Sequence, residues 1–203
     1  MATSHRKKIA HLKKSDPALR TLMEGVVLRE LTVTRGPFEA LVEAIVSQQL
    51  SIKAADTIFN RFVALTPGRK FPTPREIMKM PAAKMRKCGL SRMKVSFIKD
   101  LAKKTLDGTL DFKHMDVMTD EEVIGHLTGV KGIGRWTAEM FLIFSLQRDD
   151  VFSYGDLGLR NALKKIYKLR KAPTPAQAEK ITAKWKPYRS LGSRYLWASL
   201  DNK

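Results

Sequence analysis

Two short stretches of this chain hold residues whose types and spacing could do chemistry. The first is Gly129-Val130-Lys131-Gly132-Ile133-Gly134, set within LTGVKGIGRWTAEMFLIFSL, residues 127–146. Glycines at this density permit a tight turn and let another backbone approach closely. A turn that opens onto a helix N-terminus presents N–H groups and the positive end of the helix dipole, which suits a phosphate. Lys131 adds a charge at the tip. Spacing alone reads equally well as an ordinary helix–helix turn. The second stretch is VFSYGDLGLRNALKKIY, residues 151–167, where Asp156 is the one carboxylate. An ionised carboxylate can stabilise a cationic centre developing beside it. Taken by itself, Asp156 reads first as the N-cap of the helix that follows.

Other chemistries are excluded by what the chain lacks. A single cysteine, Cys88, rules out an intramolecular disulfide, a cysteine-rich zinc site and a four-cysteine iron–sulfur cluster. His5, His11, His114 and His126 are scattered without ligand spacing. Lys and Arg number 38 against 20 acidic residues, a net charge of +18. That imbalance favours a polyanionic partner, nucleic acid first. The basic start MATSHRKKIAHLKK has no apolar run behind it, so it does not read as a secretory signal. No apolar stretch approaches the ~20 residues a membrane span needs. The expectation is an intracellular protein.

The elements that must position these residues are helices. In FEALVEAIVSQQ, Phe38, Leu41, Val42, Ile45 and Val46 fall on one helical face. Thr73, Thr119 and Thr174 each precede a Glu or Gln by three residues, the capping-box pattern. Gly89, Gly108 and Gly129 stand where a left-handed residue would end a helix. The hairpin joins a helix over 120–128 to a second over 135–146, which is apolar on all sides. Ten or eleven helices and no strand alternation make the fold class all-α. Residues 1–15 read as a basic, mobile tail.

Several motifs in order carry a further reading: SQQLSIKAA, FPTP, GIGRWTAEM, DVFSYGDLGLR and WKPYRS…YLW. Together they resemble helix-hairpin-helix (HhH-GPD) DNA glycosylases of the AlkA-like, 3-methyladenine branch, from about residue 37 to 197. The resemblance implies two helical lobes flanking a DNA-binding cleft: one over about 37–148, the other from the N-terminal helix plus about 149–203. It implies phosphate contacts from the hairpin, here Gly129, Lys131, Gly132, Gly134 and Thr137. It also implies a Na⁺ or K⁺ on the main-chain carbonyls of Thr128, Val130 and Ile133, with no other cofactor required.

The same resemblance assigns Asp156 as the catalytic aspartate, although relatives often have an acid where this chain has Gly155. Asp149 and Asp150 are then a structural pair. Trp136, Trp197 and Met140 fall at base-pocket positions, Met140 replacing an aromatic residue of some relatives. Gln48, Gln49, Leu50 and Ser51 form the loop that fills the gap left by a flipped base. Relatives that also cut the backbone carry a lysine where this chain has Trp136. The expected activity is therefore monofunctional release of alkylated purines from double-stranded DNA, by a monomer, in the nucleoid of a prokaryote or the nucleus of a eukaryote. Alternatives are a glycosylase for deaminated or oxidised bases, or a non-catalytic DNA-binding protein.

Overall fold

The structure is a computed structural model that describes residues 2–28, 31–68 and 71–201. Among the described residues there are twelve α-helices and two single-turn 3-10 helices, and no strand. None of these helices is long and apolar enough to cross a membrane. The chain divides into two compact units. One is continuous, Val33–Phe141; the other combines Met1–Thr32 with Leu142–Lys203.

The continuous unit holds α3 (Pro37–Ser47), α4 (Ile52–Val63), α5 (Pro74–Lys79), α6 (Ala82–Lys87), α7 (Arg92–Leu106), α8 (Asp120–Thr128) and most of α9 (Arg135–Phe144). The expected face of α3 is buried through Leu41, Val42, Ile45 and Val46, each stabilising the core by about 1.5–3 kcal/mol. Phe38 lies half-buried beside Phe71, with ring centroids 6.1 Å apart. Inside this layer α7 presents Val95, Ile98, Leu101 and Ala102. An adjoining face of α7 is what positions the site described below.

The discontinuous unit is built from α1 (Ala2–Ser15), α2 (Pro17–Glu24), α10 (Leu157–Ile166), α11 (Pro175–Thr182) and α12 (Arg189–Asp201). Its core gathers Leu12, Leu19, Phe152, Leu159, Leu163, Trp185 and Leu196. Helix α1 corrects the expectation of a mobile tail. Its local sequence is basic, yet Leu12 is fully buried and Ile9 packs against the same core. Lys13 and Lys14 occupy its last turn, where cations oppose the helix dipole. Lys8 is held to Asp149 at 2.5 Å.

A buried carboxylate ties this unit together. Asp16 caps α2 through Oδ1, which accepts the N–H groups of Ala18 and Leu19 at 3.0 and 3.2 Å. Its Oδ2 accepts the Trp185 indole N–H at 2.6 Å, the Tyr167 hydroxyl, and the Lys184 ammonium at 3.4 Å. Burial pushes this carboxyl's pKa upward, but the surrounding donors outweigh it and hold the group below the ordinary aspartate value.

Helix ends follow the local code closely. Thr73, Thr119 and Thr174 all form reciprocal capping boxes, with Glu76, Glu122 and Gln177. Gly89 and Gly108 take positive φ as expected, but Gly129 does not: at φ −64° it continues the right-handed turn of α8. The left-handed residue comes three positions later, at Gly132 with φ 79°. The hairpin reverses at its second glycine rather than its first.

Candidate active site

The hairpin is pinned inward by its two apolar residues and open at its polar ones. Val130 and Ile133 are buried, whereas Lys131, Gly132 and Gly134 are exposed. Two turn bonds shape it, from Val130 N–H to Leu127 and from Ile133 N–H to Val130, at 3.0 and 3.1 Å. Gly134 starts α9 by accepting the Ala138 N–H at 3.1 Å. The first turn of α9 therefore presents N–H groups that no carbonyl of its own helix can take. Thr137 in that turn is buried. Arg135 is committed to Glu121 and Glu139, at 2.5 and 3.0 Å, and so is drawn away from the hairpin tip.

Next to the hairpin, in the same unit, lies the loop joining α3 to α4. The Gln48 side-chain amide donates to the Gly132 carbonyl at 2.8 Å. Gln49 adopts φ 58°, a conformation that few non-glycine residues hold. Leu50 is 39% exposed, and Ser51 caps α4 by accepting the Ala54 N–H. Sequence reasoning passed over the next residue: Ile52, at the first turn of α4, is 82% exposed. An aliphatic side chain left this open beside a strained turn is a further wedge candidate.

Asp156 lies in the discontinuous unit. It is the N-cap of α10, and its Oδ1 accepts two N–H groups: the Leu159 amide at 2.7 Å and the Trp197 indole at 3.2 Å. Capping and placement beside an aromatic ring therefore coexist in one side chain. Gly158 makes room for this arrangement. A Cβ there would stand 3.1 Å from the Asp156 carboxylate and 3.7 Å from the Trp197 ring. The Trp197 ring is half-buried and packs against Phe144, with centroids 5.7 Å apart.

The remaining predicted residues fall out as follows. Trp136 and Met140 belong to the continuous unit, Trp197 and Asp156 to the other. Helix α9 is not buried on all sides as a central helix would be: Trp136 is 53% exposed, Phe144 40%, and Met140 only partly buried. Asp149 pairs with Lys8. Asp150 grips Arg189 through both oxygens, at 2.7 and 3.0 Å, and Arg189 also donates to the Tyr154 hydroxyl at 2.7 Å. Each of the two neighbouring acids is thus held in an ion pair of its own.

Among the described residues no group of His, Cys, Asp and Glu side chains could hold a metal ion. The hairpin lines an open depression with Thr128, Gly129, Val130, Lys131, Gly132, Ile133 and Gly134.

A glycine hairpin feeding a helix N-terminus, in an all-helical chain, is the arrangement of a helix-hairpin-helix protein. The chain belongs to the HhH-GPD superfamily of base excision DNA repair proteins, whose family model matches residues 42–187. It is 44% identical over 162 residues to DNA-3-methyladenine glycosylase 1 of Schizosaccharomyces pombe, spanning 79% of this chain and 71% of that relative. A crystallised 3-methyladenine DNA glycosylase of the same yeast, in complex with abasic DNA, superposes with a TM-score of 0.82 at 39% identity, over 94% of this chain and 95% of that one. A DNA-3-methyladenine glycosidase from Bacillus halodurans gives 0.83 at 34% identity, covering 94% and 87%.

Proposed function

We propose that the chain is a monofunctional DNA glycosylase that removes alkylated purines, 3-methyladenine and 7-methylguanine, from double-stranded DNA. The carrying observation is Asp156: a carboxylate that accepts the Leu159 amide and the indole N–H at the edge of Trp197, on a chain closely similar to proteins named for this activity. In this reading the damaged nucleotide is turned out of the duplex. The bond between C1′ and the purine nitrogen breaks, its electron pair leaving with the base. Asp156 stabilises the oxocarbenium ion that remains. A water oxygen then bonds to C1′ and passes its proton to bulk water. Trp197 and Trp136 supply aromatic faces, which attract cations by about 0.5–2 kcal/mol and so favour a base already made cationic by alkylation. The hairpin grips a phosphate, with Lys131 adding charge and a Na⁺ or K⁺ on the Thr128, Val130 and Ile133 carbonyls steadying the turn. Gln49, Leu50 or Ile52 fills the gap.

Release of free base from a duplex methylated at guanine N7 tests the assignment directly. Rapid release is expected, with cationic bases leaving faster than neutral hypoxanthine. Preference for a neutral or oxidised base would transfer the chain to another glycosylase class, and no release of any base would leave a DNA-binding protein.

Strand cleavage is expected to be absent. Forming a Schiff base with the abasic sugar needs an amine at the reacting carbon, and Trp136 offers none. Borohydride treatment of the protein with an abasic duplex should trap no covalent adduct. A strong trapped band would show that another lysine does lyase chemistry.

A further inference from the structure

Helix α7 touches both DNA-facing elements of the continuous unit, and it does so along one face. Lys94, Phe97, Asp100 and Lys104 follow at intervals of three, three and four residues, the spacing of a single helical stripe. At the first position, the Lys94 ammonium donates to the carbonyls of Val46 and Gln48, each at 2.7 Å. These carbonyls lie at the C-terminus of α3, where a cation also meets the negative end of the helix dipole. They come immediately before left-handed Gln49. One turn on, the Phe97 ring lies close against Gly132: a Cβ there would fall 2.1 Å from the ring. Asp100 accepts the Lys131 N–H at 2.9 Å. Lys104, paired with Asp100 at 3.1 Å, donates to the Gly129 carbonyl.

The loop and the hairpin are also joined to each other, through the Gln48 amide on the Gly132 carbonyl. The three contacts close a circuit: α7 to loop, loop to hairpin, hairpin to α7. Most of its bonds end on backbone atoms, so they fix chain position rather than side-chain orientation. Four involve an ionised group, the stronger kind of hydrogen bond. None of the α7 side chains needs to touch DNA to do this.

We propose that Lys94 and Asp100 are positioning residues that hold the gap-filling loop in register with the phosphate-gripping hairpin, so that duplex binding and base extrusion occur as one event. The proposal rests on the roles given above to the loop and the hairpin. Gripping a phosphate without the wedge in place leaves the duplex bound but stacked. Base extrusion should therefore be lost before affinity is.

The test separates those two quantities. Lys94→Met keeps the length of the side chain and removes both donors. Lys94→Arg retains them, and Lys103→Met removes a charge from the exposed side of the same helix. Each variant is measured for single-turnover release of 7-methylguanine, affinity for an undamaged duplex, and melting temperature. Fluorescence of 2-aminopurine placed beside a tetrahydrofuran abasic analogue reports unstacking without needing any excision.

Misplacement of about 1 Å at a reacting site costs about a hundredfold in rate. Lys94→Met is expected to show a loss of that order, and to lose the 2-aminopurine signal, with undamaged-duplex affinity retained. Lys94→Arg should recover most of both, and Lys103→Met should match the parent. A folded Lys94→Met protein with parental release and fluorescence overturns the proposal. So does a loss explained wholly by weaker binding to undamaged DNA. If Lys94→Met does not fold, Asp100→Asn reads the circuit from the hairpin end, with the same two signals expected to fall. Should the parent release no base at all, the glycosylase reading fails, while the fluorescence arm still decides whether the register exists.

Discussion

Asp156→Asn should release 7-methylguanine about 10²–10³-fold more slowly than the parent, the usual cost of removing one well-placed electrostatic stabiliser. The substitution isolates charge because of how the carboxylate is bonded. The Leu159 N–H and the Trp197 indole N–H meet the same oxygen, Oδ1. An asparagine can place its one carbonyl oxygen there and keep both bonds. The cap survives and the aromatic neighbour stays in position. Even complete loss of a cap would cost only about 1 kcal/mol, or roughly 2–4 °C in melting temperature for a chain this size. Single-turnover release measured beside a thermal melt distinguishes the cases. A variant that excises at the parental rate would reduce Asp156 to a helix cap.

The same substitution at Asp16 should do the reverse. Here the donors are divided: Oδ1 takes two backbone N–H groups, while Oδ2 takes Trp185, Tyr167 and Lys184. An asparagine has only one acceptor oxygen, so whichever way it turns, an NH₂ faces buried donors. Leaving such groups unsatisfied costs about 2–4 kcal/mol, equivalent to a fall of about 5–15 °C in melting temperature. Base release by the protein that remains folded should be unaffected. The parent should also lose stability in acid. A carboxylate whose folded pKa lies below its unfolded value contributes fully above the ordinary value of 3.8 and less as pH falls through the folded one. Asp16→Asn should flatten that acid limb. An unchanged melting temperature would show that the cluster tolerates an amide.

Much of the local architecture was legible because its causes are local. Each of the three capping boxes needs only residues three apart, and all three formed. The α3 stripe appeared as expected for the same reason. Misreadings share the opposite cause. Helix α1 looks like a solvated basic segment until Leu12 finds a core assembled from residues far along the chain. Asp16 gives no signal in its own neighbourhood, since Tyr167 and Trp185 are 151 and 169 positions away. The stripe on α7 carries no signal of its own in the sequence, because its meaning depends on backbone groups of two other segments. Gly129 was assigned the turn that Gly132 makes, because the density of glycines marks a reversal without saying which one reverses. Asp156 was the reverse case: the local cap motif was plain, and what the fold adds is the hydrogen bond from Trp197, a residue the family resemblance had already named.

The interrupted unit has a consequence for how the molecule is made. Residues 33–141 form an insert between the two halves of the other unit. On a ribosome, which delivers the N-terminus first, that insert can fold as soon as it emerges, from contacts within one continuous stretch. The first two helices cannot. Asp16 and Leu12 must wait, uncovered, until Trp185 has been synthesised. Closing so large a loop costs entropy before any contact rewards it. A folded insert bridges most of that span and brings the waiting ends nearer. Asp156 belongs to the late-forming unit, so a nascent chain presents its glycine hairpin well before Asp156 is in place, and under the proposed function it would meet DNA before it could release a base.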